Sequence, residues 1–261
     1  MRPANEGAQI TAISAVSNST QATTVYDRIR SDLLSAKLQP GFKLSMRFLM
    51  ETYDTGQTPI REALNRLAAE RLVEFRDQRG FTVAGISSAE LAELTKARSL
   101  VEALVLREAM AAATPEWEEQ LVLAHHRLAR ARRSLNAGRF EDNPEWERLH
   151  RAFHRTLIAQ CGSSTLTNFC RHLADLLYRY RRISIGKAYP WRDVGAEHAA
   201  ILEAVLGGDR EKAVALLTRH YSLTAEIISS DLNVFPDEET KARTPEDLGS
   251  VGGGGETRAA Q

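Results

Sequence analysis

Cysteine is nearly absent from this chain: Cys161 and Cys170 are the whole complement. Two thiols make neither a disulfide framework nor the paired short spacings of a zinc ribbon. Long apolar runs are missing too. No stretch of about 18 apolar residues offers a membrane span, and the first residues hold no apolar h-region, so neither span nor signal peptide is expected. The reducing cytoplasm is the expected compartment. Neither charge is in excess: 34 Lys and Arg face 34 Asp and Glu, with a pI of about 7.1. Such a chain is not coated in basic charge. A local basic patch is its remaining route to nucleic acid.

What is present is ordinary for a globular protein: 43% hydrophobic and 26% charged residues over 261 positions, enough for one large domain or two small ones. Residues 1–20 are rich in Ser, Thr, Ala and Asn and show no apolar periodicity. From Asn233 onward a Gly run, Pro and alternating charge cannot bury enough surface to fold. Both ends, 1–20 and 233–261, read as disordered tails. The body divides at Ala84-Gly85-Ile86-Ser87 into 21–86 and 87–232.

The first part reads as three helices and a hairpin. Val25, Ile29, Leu33 and Leu34 recur at helical spacing. Leu38-Gln39-Pro40-Gly41 breaks that helix. Ser45 is placed to cap a short second helix carrying Arg47, Phe48, Leu49 and Tyr53. After a turn at Asp54-Thr55-Gly56, Thr58-Pro59 opens a third helix, with the hydroxyl as cap and Pro at the first helical position. Ile60, Ala63, Leu64 and Leu67 share one face of it; Arg61, Asn65 and Arg66 lie largely away. Two β-prone runs, Leu72–Phe75 and Phe81–Val83, follow, joined by Asp77-Gln78-Arg79-Gly80. This is a winged helix-turn-helix, whose third helix enters the major groove while the hairpin tip meets phosphates or the minor groove.

The residue chemistry suits that use. Arg61, in the first turn of the third helix, can donate two hydrogen bonds to guanine O6 and N7. Gln57 can pair with adenine or bond a phosphate. Thr58 and Arg66 join the expected contact set on the same helix. Arg47 and the Arg79-Gly80 tip are placed for the backbone, and the N–H groups at the helix start favour a phosphate. Charge alone does not carry this reading, because ten Lys or Arg face eight Asp or Glu between Gln21 and Ile86.

The second part is helical throughout. Ser87-Ser88-Ala89-Glu90 is a capping box, in which hydroxyl and carboxylate satisfy each other's backbone donors. Leu91, Leu94, Ala97, Leu100, Val101 and Leu104 form a stripe on the helix that follows. Thr114-Pro115, Asn143-Pro144, Ser163 or Ser164, Pro190 and Asp209 open the rest. Short loops between such helices point to an antiparallel bundle. His150 and His154, four apart, share a helix face and suit two ligands of one ion. His198 and His220 lie on later helices. Neutral imidazole suits zinc, nickel, copper or iron. Arg98 and Arg181 are placed to pair with a carboxylate, although Arg98 can equally pair with Glu102 along its own helix. Tyr178-Arg179-Tyr180-Arg181-Arg182 lines a cavity or forms an interface. Glu147 and Glu197 read as a helix-surface and an N-terminal-turn residue. No nucleophile–base array stands out, and no enzyme activity is expected.

Two resemblances extend this reading. Leu38-x-Pro40-Gly41-x-x-Leu44, Thr58-Pro59-Ile60-Arg61-Glu62-Ala63-Leu64-x-x-Leu67, Leu72-Val73 and Arg79-Gly80 resemble the GntR family of bacterial regulators. The resemblance implies Arg47, Arg61 and the Arg79-Gly80 wing as DNA contacts. The sequence departs from the family at Asp54-Thr55-Gly56-Gln57, where the family has Gly, a small apolar residue, Ser and Arg, so a different operator is expected. Arg98-x-x-x-Glu102, His150-x-x-Phe153-His154, Glu197-His198-x-x-Ile201 and Asp209 through His220 resemble the FCD effector domain of the FadR subfamily. Many FCD domains hold a divalent metal with one Asp and three His. The matching positions are His150, His154, His198 and His220, with His150 at the Asp position. All-imidazole ligation makes the site more cationic and favours zinc, with nickel next, over manganese or magnesium. The expectation is a mostly α protein: a winged helix ahead of an all-α bundle, acting as a homodimeric repressor that answers a small carboxylic acid. The alternatives are a metal-dependent hydrolase with a DNA-binding appendage and a direct metal sensor.

Overall fold

The computed structural model describes residues 21–136, 138, 140–188 and 192–232. The two expected tails and the helix start at Pro190 lie outside these residues. The N-terminal part runs α1 (Gln21–Leu34), β1 (Lys43–Leu44), α2 (Met46–Tyr53), α3 (Gln57–Ala69), β2 (Val73–Arg76) and β3 (Gly80–Val83). The strands form one antiparallel sheet in the order β1-β3-β2, with Val73 opposite Val83 and Arg76 opposite Gly80. Ile29, Leu33, Leu49, Ile60, Leu64 and Leu67 close the core beneath it. Each such side chain contributes roughly 1.5–3 kcal/mol by leaving water. The apolar face expected on α3 is therefore the buried one.

Two local expectations change here. Thr58 does not cap α3. The helix starts two residues earlier, Gly56 is its N-cap, and no side chain caps it. Pro59 then sits at the third helical position, where its missing N–H costs nothing. Arg61 consequently lies one turn into the helix rather than in the first turn. In the wing, Gln78 at φ 62° and Gly80 at φ 77° both take the left-handed conformation, which turns the chain tightly and leaves Arg79 at the tip.

Six helices follow: α4 (Ser88–Ala111), α5 (Pro115–Arg130), α6 (Pro144–Leu157), α7 (Ser164–Ala188), α8 (Val194–Leu206) and α9 (Arg210–Leu232). Most of their starts obey the expected chemistry, while α8 begins at Val194, capped by Asp193. Thr114 and Asn143 cap α5 and α6 ahead of Pro115 and Pro144. Ser163 Oγ accepts from Leu166 N, and Asp209 accepts from Lys212 N. The capping box of α4 is half formed. Ser87 Oγ accepts from Glu90 N, but the return bond is relayed: Ser87 N donates to the Tyr180 hydroxyl, which donates to the Glu90 carboxylate. A side chain of α7 thus ties down the start of α4.

The α4 stripe also differs from expectation. Leu100 and Leu104 are 65% and 52% exposed, while Glu102, Val105, Leu106 and Ala109 are buried. The buried face of α4 carries the Arg98–Glu102 pair inward, toward α7 and α9, because a cavity there accommodates polar groups. No described helix is long and apolar enough to cross a membrane.

Candidate nucleic-acid interface and metal centre

The outer face of α3 presents Gln57, Thr58, Arg61, Glu62 and Asn65 around a shallow groove. The helical period explains the set: these positions lie opposite Ile60, Ala63, Leu64 and Leu67. With a glycine cap, the first N–H groups of α3 face outward without a side-chain acceptor, which suits a phosphate oxygen. Glu62 belongs to this face and was not singled out from the sequence, although its place beside Arg61 was the signal. A carboxylate there can accept from cytosine N4. Arg47 is exposed and holds Glu51 at 2.9 Å, a surface pair that contributes little and is easily exchanged for a phosphate. Arg66 is placed apart. Its guanidinium stacks 3.8 Å from the Tyr26 ring centroid on α1, beyond the groove. Arg79 is exposed at the wing tip.

The four histidines converge. His150 and His154 from α6, His198 from α8 and His220 from α9 each offer one nitrogen, and these lie within 4.8 Å of one another. His150 Nε2 and His154 Nε2 are 3.2 Å apart. Trp146 stacks on the His150 ring at 4.7 Å and 11°, holding it flat. Burial, reinforced by the neighbouring Arg181, pushes His150 well below its ordinary pKa. Burial and the other rings do the same to His154 and His198. Burial also lowers His220, against an opposing hydrogen bond to Glu197. Burial thus favours the neutral form of all four rings, the form with a lone pair to give.

The surrounding groups fix which nitrogen is free. His220 Nδ1 is 2.7 Å from Glu197 Oε2. Burial alone would push Glu197 up, but bonds from His220 and Arg192 overcome it and hold the carboxyl at about 2. An ionised carboxylate only accepts, so His220 Nδ1 carries the proton and Nε2 keeps its lone pair. The Tyr221 hydroxyl donates to Glu102 and lies 3.3 Å from His154 Nδ1, which frees His154 Nε2 in the same way. His198 Nε2 is buried with no hydrogen-bond partner among the described residues. A buried, unpartnered nitrogen amid three more imidazoles is costly unless a cation takes the lone pairs. The donor set fits a divalent metal of the zinc or nickel kind.

Glu147 and Glu197 are corrected by this geometry. Neither is an idle surface residue: Glu147 is buried against Arg181, and Glu197 orients His220. The pairs Arg98–Glu102, Arg181–Glu147 and Arg192–Glu197 each balance, so a bound dication's own charge would remain to attract an anion. Sequence reading missed Tyr221, Arg192 and Trp146 as parts of this centre.

A cavity of about 320 Å³ opens beside the histidines between α4, α6, α7 and α9. His150, His154 and His220 line one end, with Arg98, Arg181 and Arg151 along the walls and Leu91, Leu177 and Ile228 supplying apolar surface. The aromatic–arginine run on α7 divides. Tyr178 and Arg181 face the cavity, while Arg179 donates to Ala84 O at 2.5 Å and Tyr180 reaches Ser87 and Glu90.

One consequence is testable in metal-free protein. The folded histidines titrate below the ~6.5 of the unfolded chain, so the unfolded state takes up protons first. Their contribution is complete above about pH 6.5 and is lost as pH falls, by up to ~1.4 kcal/mol per pH unit for each ring. Chelator-treated protein should therefore show a falling urea midpoint between about pH 7.5 and 5.5, and a flat profile there would contradict four buried neutral rings.

A winged helix with an exposed recognition face, joined to a helical domain that holds a cavity, is the architecture of a DNA-binding regulator with a second, helical domain. Comparison with known proteins agrees. The family model "Bacterial regulatory proteins, gntR family" matches residues 21–83, and the FCD domain matches 93–223. The chain is 33% identical over 207 residues to the HTH-type transcriptional repressor GlaR of Escherichia coli (strain K12), covering 78% of this chain and 93% of that one. It is 31% identical over 208 residues to the transcriptional regulator BphR of Paraburkholderia xenovorans, covering 78% and 83%. Among solved structures, E. coli McbR/YncC shares the fold at TM-score 0.68 and 20% identity, over 82% of this chain and all of that one. A GntR regulator from Rhodococcus sp. RHA1 does so at 0.63 and 21%, over 81% and 99%. This chain belongs to the GntR family and carries an FCD domain: it is a DNA-binding transcriptional regulator.

Proposed function

We propose that the chain is a ligand-responsive repressor, acting as a homodimer in the cytoplasm. Each winged helix reads one half-site of an operator through Gln57, Thr58, Arg61, Arg79 and Gly80, with Arg47 on the backbone and Arg66 bracing α3. His150, His154, His198 and His220 hold a divalent metal, zinc first and nickel second. A small carboxylic acid enters the adjoining cavity with Arg98 and Arg181 in its walls. The observation that carries this is the convergence of four histidine side chains beside a cavity walled by arginines. The bound metal supplies positive charge for the carboxylate. The chain's own residues orient the imidazoles through Glu197 and Tyr221 and exclude water through Trp146 and Phe153.

Repression is the sense taken from the GlaR relative, whose name describes a repressor. Leu100 and Leu104 leave apolar surface on α4 that a second copy would cover. A hydrolase is the weaker reading, because four protein ligands resemble a closed site rather than one with a position kept open for water.

Thermal-shift screening tests the ligand class. With zinc loaded, one acid among acetate, lactate, succinate and citrate should raise Tm by roughly 5–10 °C at about a hundredfold over its Kd. The same acid should do far less after chelation. A shift independent of metal would refute the placement at the histidines.

A further inference from the structure

Three arginine–carboxylate pairs line the cavity, and they are not equivalent. Glu102 and Glu147 are 3% and 11% exposed in their side chains, and each has one arginine partner among the described residues, Arg98 and Arg181. Withdrawing either guanidinium strands a buried carboxylate without a cation, which is strongly unfavourable. Asp175 differs. It is 4% exposed and bridges two arginines: Arg151 of α6 on Oδ1, and Arg30 of α1 on Oδ2 at 2.5 Å. If Arg151 turns away, Asp175 keeps Arg30. Arg151 is also the most open of the three wall arginines, at 34% against 14% for the other two.

Arg30 in turn reaches the recognition helix. Its Nε donates to Glu70 at 2.9 Å, and Glu70 is the C-cap of α3. The other Glu70 oxygen accepts from the Tyr26 hydroxyl, and Tyr26 carries Arg66 of α3 on its ring. A continuous polar chain thus runs from the cavity wall through α7 and α1 to α3.

Resting on the carboxylate reading above, we propose that Arg151 is the residue that takes the effector's carboxylate, releasing Asp175 to Arg30 alone. That exchange changes how α1 and α3 are held against α7, and so couples the cavity to operator affinity. Arg151 is the binding residue; Asp175 and Arg30 are positioning residues. A ligand can shift the arrangement only by pairing differently in its two states, and the shared Asp175 supplies that difference.

The test is a double-mutant cycle on the full chain, needing no effector. Operator affinity is read by fluorescence anisotropy on a DNA fragment selected by the wild-type protein. Arg151→Gln should mimic withdrawal of the guanidinium and change affinity by roughly tenfold, with fold and oligomeric state unchanged. In an Arg30→Gln background the same substitution should change affinity by less than about twofold. Arg151→Lys, which keeps a cation near Asp175, should stay close to wild type. An unaltered Arg151→Gln affinity, or strict additivity with Arg30→Gln, would overturn the coupling. In the carboxylate screen with zinc, an acid that stabilises the wild type should lose its effect on Arg151→Gln. Equal shifts in both proteins overturn the role of Arg151 but leave the carboxylate reading standing. No shift in either overturns that reading, and with it the anion half of the proposal, while the cycle still decides the coupling.

Discussion

Arg61→Ala should lower operator affinity by roughly 10- to 100-fold, the cost of about 1–3 kcal/mol for a bidentate base contact, and should relax discrimination at one base pair. The fold should survive, because Arg61 is exposed while Ile60 and Leu64 beside it are fully buried. Salt separates this role from a backbone contact. Neutralising a phosphate releases counterions, so Arg79→Ala should weaken binding evenly across sequences and reduce the log–log salt slope by about 1. Arg61→Ala should leave that slope nearly unchanged. Anisotropy titrations over a range of salt concentrations, on the operator and on a single-base variant, measure both effects. Retained affinity and retained specificity in Arg61→Ala would remove the base-reading role.

Much of the N-terminal part was legible because its signals are local. Ile60, Ala63, Leu64 and Leu67 fix the buried face of α3 by period alone, and the opposite face follows without further information. The wing was legible for the same reason: two short β-prone runs around Asp77-Gln78-Arg79-Gly80 pair as the antiparallel strands β2 and β3. The cap of α3 was not legible. Thr58-Pro59 is a good local start, but Gln57 and Thr58 already lie in the helix behind the Gly56 cap, and helix boundaries shift by one or two residues without a local signal.

The bundle was legible in its elements and less so in its interior. His150 and His154 announce a shared face by their spacing. The partners that give those rings meaning are distant: Glu197 meets His220, Glu147 meets Arg181, and Tyr221 joins Glu102 to His154. No window of sequence contains such pairs. Leu100 and Leu104 misled for a related reason. Apolar residues at helical spacing read as core, but here the buried face of α4 includes Arg98 and Glu102, which line a cavity.

The double substitution His154→Ala with His198→Ala should reduce bound zinc from about one per chain to near zero, since two imidazoles cannot hold what four do. Elemental analysis of purified protein reads this directly. Glu197→Gln should be milder. It keeps a hydrogen bond to His220 but removes the carboxylate, and outer-sphere changes of this kind cost roughly 10- to 100-fold in metal affinity. Unchanged zinc in the double variant would place the metal elsewhere or remove it from the account.

Operator affinity of the full chain, measured by anisotropy after chelation and again after zinc reloading, with and without the stabilising carboxylate, tests the central claim. The expected result is a roughly tenfold change on adding the acid to zinc-loaded wild-type protein, and none in the chelated protein or in the His154→Ala, His198→Ala variant. An affinity that follows zinc alone and ignores every acid would contradict it and make the chain a metal sensor.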